Sequence, residues 1–228
     1  MPSPASPLSP DAQQAAALIP PDDIEARSFA IIDGEIPEPR PFTGYAWEVA
    51  RRLVHTSGDI SLPGDLYLPD ESVCGGVQAL RRGCAIFTDT RMACSGIPAR
   101  RLAPLNSSVQ CLLDLPGVAD RARTDNITRA RAAMLLAGNA LSGSIVAIGN
   151  APTALLTLLQ LLGEGLPEPA LIIGMPVGFV NAAESKELLV RSGRPCLVLR
   201  GRKGGSPLAA ATVNALAVIA GRRPVAAT

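Results

Sequence analysis

Two helical patterns lie near the start of the chain, and the second is the clearer one. It begins near Tyr45 and repeats apolar side chains at the i, i+3, i+4 and i+7 positions of one helical face. Those positions are Ala46, Val49, Ala50 and Leu53. Gly58 offers a stop, so His55 is predicted in the last turn. The earlier pattern predicts a short helix over Ile24–Ile32, and the proline-containing stretch Pro37–Pro41 separates the two helices.

Four short aliphatic runs follow, and helical patterns alternate with them. Continuous apolar runs of this length are typical of parallel strands that helices cover on both faces. The predicted strands are Cys84–Thr88, Ser144–Ile148, Ala170–Ile173 and Cys196–Leu199. The predicted helices between them are Ser72–Arg82, Arg129–Ala137, Pro152–Leu162, Ala182–Ser192 and Pro207–Ile219. This alternation predicts a single α/β domain with three layers, α/β/α, around a mostly parallel sheet.

The domain is expected to span residues 24–220. Residues 1–23 are rich in Pro, Ala and Ser and lack the basic start and apolar centre of a signal peptide, so we expect a disordered tail. Residues 221–228 are expected to form a short C-terminal tail. The longest aliphatic stretch, Leu208–Ala220, is interrupted by Thr212 and Asn214 and is shorter than the roughly 20 residues of a membrane span. We therefore expect no membrane partner.

The amino-acid composition further limits the classes of ligand and partner that the chain is expected to bind. Aromatic residues make up 3% of the chain and hydrophobic residues 47%, which predicts a core of small aliphatic side chains. A net charge of +1 does not favour nucleic-acid binding. The five cysteines have no metal-ligand spacing and there is one histidine, so we expect no metal site and a reducing cytoplasm. Arginine carries nearly all the positive charge, which suits anionic ligands, although a GC-rich genome explains it more simply.

Each predicted strand ends in a loop that leads to a helix. Open parallel sheets bind ligands at the carboxyl ends of their strands, and helix N-termini there attract anions. The loops are Thr88–Arg91, Gly149–Thr153, Gly174–Gly178 and Gly201–Ser206. The last, GRKGGS, has two cations and three glycines, but it lacks the P-loop order of residues. A glycine turn that requires positive φ angles is as plausible there as an anion site.

His55 is the main candidate for acid–base chemistry. A single histidine is usually a surface or capping residue, but on a helical wheel His55 falls opposite the apolar stripe, beside Arg51 and Arg52. The end of the helix favours the protonated ring, whereas the two arginines oppose it. A polyanionic ligand would neutralise the arginines and leave a general acid. Asp59 and Asp89 could act as bases, though loop aspartates more often stabilise turns.

Six stretches of the chain resemble the precorrin-8X methylmutase family, in register from residue 24 to residue 218. They are Glu25–Ile32, Ala50–Asp59, Ile127–Ala130, Gly143–Leu155, Ala170–Leu188 and Gly201–Ala217. The blocks GNAPTAL and GMPVGFVNAAESKE are very specific. The resemblance implies an isomerase that moves a methyl group from C-11 to C-12 of the precorrin-8X macrocycle, giving hydrogenobyrinic acid, or that acts on cobalt-precorrin-8. It implies no cofactor.

The resemblance also implies roles for individual residues. The histidine of the R-x-x-H segment, His55, would be the proton donor and acceptor. Ser28, Arg52 and Arg129 would contact the carboxylates of the tetrapyrrole substrate. Weaker candidates for substrate binding are Asp89, Asn150 and Thr153. Family members look like homodimers with sites near the subunit interface, which would explain a histidine that faces away from its own core.

The chain departs from the family pattern in two segments near its motifs, and two alternative functions remain open. The linker Glu38–Phe42 and the approach to Arg129, Asp120–Asn126, differ from the family pattern. One alternative function is a non-catalytic corrinoid carrier on the same fold. The other is a nucleotide- or phosphate-binding enzyme that uses Gly201–Ser206 as its anion loop, although no complete nucleotide fingerprint is present.

Overall fold

Six strands form one sheet in the structure, a computed structural model that describes residues 20–222. In chain order they are β1 (Leu66–Tyr67), β2 (Ala85–Thr88), β3 (Ser108–Cys111), β4 (Ile145–Ile148), β5 (Leu171–Gly174) and β6 (Cys196–Leu199). Their order across the sheet is β1-β6-β5-β4-β2-β3. β1 pairs with β6 antiparallel and every other pair is parallel, which confirms the predicted mostly parallel sheet.

Within residues 20–222, ten α-helices pack around this sheet. In chain order they are α1 (Pro21–Glu35), α2 (Gly44–Ser57), α3 (Asp70–Arg81), α4 (Arg91–Ser95), α5 (Ala99–Leu102), α6 (Val118–Thr124), α7 (Arg129–Ala137), α8 (Pro152–Gly163), α9 (Ala182–Arg191) and α10 (Ser206–Gly221). Of the helices within residues 20–222, none combines the length and the apolar character that crossing a membrane requires.

Alternate residues along the strands face two separate cores. In β4, Ile145 and Ala147 belong to one apolar cluster, while Val146 and Ile148 belong to the other. The first cluster contains the buried faces of α2, α3 and α10, and the second contains those of α6 to α9. Because the central strands β4, β5 and β6 are covered on both faces, they show no period-two pattern and every one of their residues is buried. The predicted three-layer α/β/α architecture is confirmed.

The helix α2 follows its sequence pattern closely. Val49, Ala50 and Leu53 are completely buried in the first core. Gly58 ends the helix in the left-handed conformation, with φ of 67°, and its N–H donates to the carbonyl of Val54 at 2.8 Å. Glycine reaches this conformation without the steric cost that a β-carbon imposes. His55 therefore lies in the last turn, as predicted, on the face away from the buried stripe.

The elements that the sequence pattern missed are short or lie at an edge. β1 has two residues, and β3, with the sequence SVQC, alternates polar and apolar side chains at the end of the sheet. The helices α4, α5 and α6 have seven residues or fewer, too few for a helical period to stand out. The first helix begins at Pro21 rather than near residue 24, so the predicted tail is too long. Residues 1–19 and 223–228 lie outside the described part.

Glycines allow the loops at the carboxyl ends of the strands to pack backbone against backbone. A β-carbon on Gly149, which follows β4, would lie 2.7 Å from Cα of Ser206, the first residue of α10. One on Gly204 would lie 2.2 Å from the carbonyl oxygen of Met175, which follows β5. Both distances are too short for any side chain. The loops after β4, β5 and β6 therefore pack directly against one another at one edge of the sheet.

We predict that Gly149→Ala destabilises the protein, because the added methyl group must displace the backbone of α10. The free energy of unfolding should fall by about 2–3 kcal/mol in a urea titration, the size of an overpacking penalty. Gly75→Ala is the control, since a β-carbon at this position of α3 meets no atom within 4 Å. That change should raise stability by about 0.5–1 kcal/mol. Equal stabilities of the two variants would contradict the close approach.

Candidate active site

The imidazole of His55 is held between α1 and α2. Its Nδ1 atom lies 2.7 Å from the hydroxyl oxygen of Ser28 on α1. The ring of Phe29, also on α1, contacts the imidazole edge-to-face, with 5.6 Å between the centroids. These contacts fix the ring, while the side chain remains partly exposed. The prediction that His55 faces away from the core is confirmed.

Two open hollows meet at His55. The larger, of about 360 Å³, lies between the end of α2, the residues around Pro98 and the first half of α10. Its wall includes Arg52, Arg101 and Asn214 as well as small α10 residues. The smaller, of about 180 Å³, lies on the other side, against α1. A ligand can therefore reach the imidazole from solvent, and a general acid or base at this position can act on it.

Acidic residues of α1 pair with the two arginines beside His55. Arg51 lies 2.6 Å from the Asp33 carboxylate, and Arg52 forms an ion pair with Glu25. Both guanidinium groups also stack over the Phe29 ring, at 4.4 and 4.8 Å from its centroid. The expectation that these arginines oppose a protonated His55 therefore needs correction. Their charges are compensated within the protein, because α1 supplies the carboxylates that inspection of α2 alone missed.

Asp89 serves the loop that follows β4. The carboxylate is buried and accepts hydrogen bonds from the backbone N–H groups of Gly149, Asn150 and Ala151, at 2.9, 2.8 and 2.7 Å. Burial raises the pKa of the Asp89 carboxyl, and the three N–H donors counteract that shift. Both oxygens point at the backbone, so this geometry supports a role in holding the loop. A role for Asp89 as a base or as a substrate contact has no support in this position.

The other predicted substrate contacts lie along the same edge but outside the two hollows. The side chain of Asn150 is exposed, and the hydroxyl of Thr153 lies 3.1 Å from that of Thr128, the cap of α7. Arg129, the first residue of α7, is exposed. The structure thus brings Ser28, Arg52 and His55 together and places the remaining candidates around the loop after β4.

The two groups of candidates are joined through the start of α10. Ser206 packs against Gly149 and bonds to Thr90, with 2.7 Å between the hydroxyl oxygens. The next residue, Pro207, lines the larger hollow beside His55. The carboxyl edge of the sheet is therefore one continuous surface, as expected for an open parallel sheet.

Sequence inspection missed several residues of this surface. Arg101 and Asn214 line the larger hollow, yet no motif or period marks either of them. The cations of the Gly201–Ser206 loop also differ from expectation, because both have partners in the protein. Arg202 stacks on Phe179, and the ammonium of Lys203 lies 2.7 Å from the Asp59 carboxylate. This arrangement favours the glycine-turn interpretation over a nucleotide or phosphate loop. In residues 20–222 no cluster of three metal-ligating side chains occurs.

Comparison with known proteins agrees with the resemblance. A family model described as precorrin-8X methylmutase matches residues 23–219. A cobalt-precorrin-8 methylmutase of Leptospira interrogans is 38% identical over 88% of this chain and 94% of the relative. A precorrin-8X methylmutase of Pseudomonas aeruginosa is 45% identical over 75% of this chain and 82% of the relative. The crystal structure of a precorrin-8X methylmutase from Thermus thermophilus aligns with a TM-score of 0.80 at 38% identity, covering 87% of this chain and 97% of that one.

We predict that Asp89→Asn unfolds more easily than the parent protein. Asparagine has one acceptor oxygen, and its NH₂ group would face backbone donors that then lack a partner. The free energy of unfolding should fall by about 2 kcal/mol or more, measured by urea titration. Asp120→Asn is the control, since Asp120 is exposed in an ion pair with Arg123, and its loss should cost under about 0.5 kcal/mol. If both variants are equally stable, Asp89 does not hold the loop.

Proposed function

The chain belongs to the precorrin-8X methylmutase family and is an isomerase of cobalamin biosynthesis, and we propose that His55 is the group that donates and takes back the reaction's proton. The observation that carries this proposal is the position of the imidazole: it is fixed by Ser28 and open to two hollows at the carboxyl edge of the sheet. No other histidine exists in the sequence to take the role.

The contact with Ser28 suits a ring that changes its protonation state. If Nδ1–H donates to the Ser28 hydroxyl, that bond is present both in the neutral ring and in the imidazolium. The exchanged proton is then bound and released at Nε2, and the ring keeps its orientation. The Ser28 hydroxyl hydrogen stays available for a substrate carboxylate, so the proposed substrate contact at Ser28 is compatible with its bond to His55.

The proposed chemistry begins with transfer of the Nε2 proton to the macrocycle. Protonation draws electron density from the ring system, which eases migration of the methyl group from C-11 to C-12. His55 then takes a proton back, so atoms and charge balance over the cycle.

Arginines around the hollows suit the substrate's acetate and propionate groups. Arg52 and Arg101 line the larger hollow beside His55, and Arg129 lies further along the same edge. A guanidinium group has five N–H donors, so Arg52 can keep its pair with Glu25 and still bind a ligand carboxylate. Any cobalt would belong to the macrocycle and is therefore part of the substrate.

We further propose that a second copy of the chain completes the site. Pockets for drug-sized ligands measure about 300–1,000 Å³. A hollow of about 360 Å³ lies at the low end of that range. A tetrapyrrole with several carboxylate arms is larger than a drug-sized ligand, so this hollow alone does not enclose it. Exposed apolar side chains near the same edge support an interface: Phe179 is 83% exposed and Val180 is 77% exposed. A cytoplasmic location is also proposed, supported by five cysteines that are all free of disulfides.

The test of the proposed role is His55→Ala, with turnover and ligand affinity measured separately. Turnover of precorrin-8X, followed by its absorption spectrum, should fall about 100-fold or more, the low end of general acid–base contributions. The dissociation constant for hydrogenobyrinic acid should rise far less. His55→Asn should lose turnover equally, because its amide can bond to Ser28 but cannot shuttle a proton.

The control is Gln78→Ala on the exposed side of α3, which should retain full turnover. Comparable losses of turnover and affinity in His55→Ala would make His55 a binding residue only. If the parent protein changes the absorption spectrum of one equivalent of precorrin-8X and then stops, it is a corrinoid carrier and not an isomerase.

A further inference from the structure

Lys203 ties the Gly201–Ser206 loop to the residues that end α2. Its ammonium lies 2.7 Å from Oδ2 of Asp59. The other carboxylate oxygen, Oδ1, accepts hydrogen bonds from the backbone N–H and the hydroxyl of Ser61, at 2.9 and 2.6 Å. Asp59 directly follows Gly58, the residue that caps α2, and is four residues after His55. The contact therefore acts on the turn that immediately follows the proposed catalytic group.

The backbone of Lys203 is itself anchored by a buried lysine. Lys186 of α9 is completely buried, and its ammonium donates to the carbonyl oxygen of Lys203 at 2.7 Å. Burial lowers the pKa of Lys186 to about 8, with Asp65 and Glu187 acting in the opposite direction. Burying a lysine is costly unless the ammonium is hydrogen-bonded. The hydrogen bond to the Lys203 carbonyl offsets part of that cost, and it fixes the backbone of Lys203 against α9.

The rest of the loop packs against Met175, the residue that directly follows β5. The N–H of Gly205 donates to the carbonyl of Met175 at 2.9 Å, and Gly204 has no room for a β-carbon against the same residue. The loop thus has a fixed backbone from which one flexible side chain, that of Lys203, reaches across to Asp59. A rigid base of this kind allows a single ion pair to set the position of its partner.

We propose that Lys203 is a positioning residue for the isomerase, holding Asp59 so that the last turn of α2 keeps His55 aligned with the substrate. The proposal rests on the role of His55 proposed above. Terminal turns of helices open easily, because their last carbonyls lack intrahelical partners. A displacement of about 1 Å in a catalytic group can cost up to about 100-fold in rate. Neither Lys203 nor Asp59 lines the two hollows, so their effect passes through the backbone.

Both groups of the Lys203–Asp59 ion pair are charged at neutral pH, where the enzyme would be assayed. The hydrogen bond from Lys203, with those from Ser61, lowers the pKa of Asp59 to about 2. A lowered carboxyl pKa means that the stabilising contribution is complete above the unfolded value of about 4 and is lost as pH falls through about 2. Bond formation with Asp59 also raises the pKa of Lys203, so the ammonium persists at alkaline pH.

The experiment compares Lys203→Met, Asp59→Asn, the double variant and Lys203→Arg in the full chain. In Lys203→Met we expect kcat to fall about 10-fold and KM to change less than about 3-fold, because alignment is lost and binding is kept. Amide hydrogen exchange in residues 54–61 should become faster. Lys203→Arg should restore at least half of kcat, and the double variant should be no slower than either single one, since both remove the same contact.

Two controls separate this proposal from a general loss of structure. Arg123→Met removes an exposed ion pair with Asp120 on α6 and should leave both kcat and the exchange of residues 54–61 unchanged. Adding Lys203→Met to His55→Ala should cause no further loss of turnover. Unchanged kcat or unchanged exchange in Lys203→Met, failure of arginine to rescue, or a further loss in the His55→Ala background would each overturn the proposal. Full turnover by His55→Ala would instead overturn the catalytic role of His55, and it would leave the exchange result as it stands.

Discussion

The burial of one face of α2 is the constraint on which the site depends. Val49, Ala50 and Leu53 are completely buried beside α3 and α10, so the helix cannot rotate without exposing them. Fully burying one such side chain contributes about 1.5–3 kcal/mol for the larger residues. His55 is consequently held on the opposite face, where α1 contacts it. The hydrophobic core thereby decides which way a single titratable side chain points.

The carboxyl edge of the sheet supplies the second half of the arrangement. Gly149 and Gly204 let the loops after β4, β5 and β6 approach one another at distances that any side chain would prevent. Asp89 organises the loop after β4, and the first turn of α10 then forms a wall of the hollow beside His55. Most polar side chains at this edge bond to the protein itself. Within that hollow, the imidazole lies beside Arg52, Arg101 and Asn214, which a ligand can contact.

Sequence reasoning succeeded where a feature depends on local periodicity. The local pattern of apolar residues predicted α2, its glycine cap and four of the six strands to within a few residues of their observed bounds. It also predicted the outward position of His55. It failed where the deciding partner is distant in sequence. The carboxylates of Glu25 and Asp33, the ammonium of Lys186 and the position of Arg101 at the hollow depend on how the layers pack. No local pattern encodes that packing.

An NMR titration of the imidazole reports on proton exchange at His55 without ambiguity, because the chain has one histidine and its ring signals need no further assignment. Histidine-labelled protein would be titrated across neutral pH, alone and saturated with hydrogenobyrinic acid. If His55 exchanges a proton with the bound macrocycle, ligand binding should favour the protonated ring, and Nδ1 should keep its proton while Nε2 titrates. Identical titrations with and without the ligand, or a ring that keeps its proton on Nε2 alone, would show that His55 does not exchange a proton with the bound macrocycle.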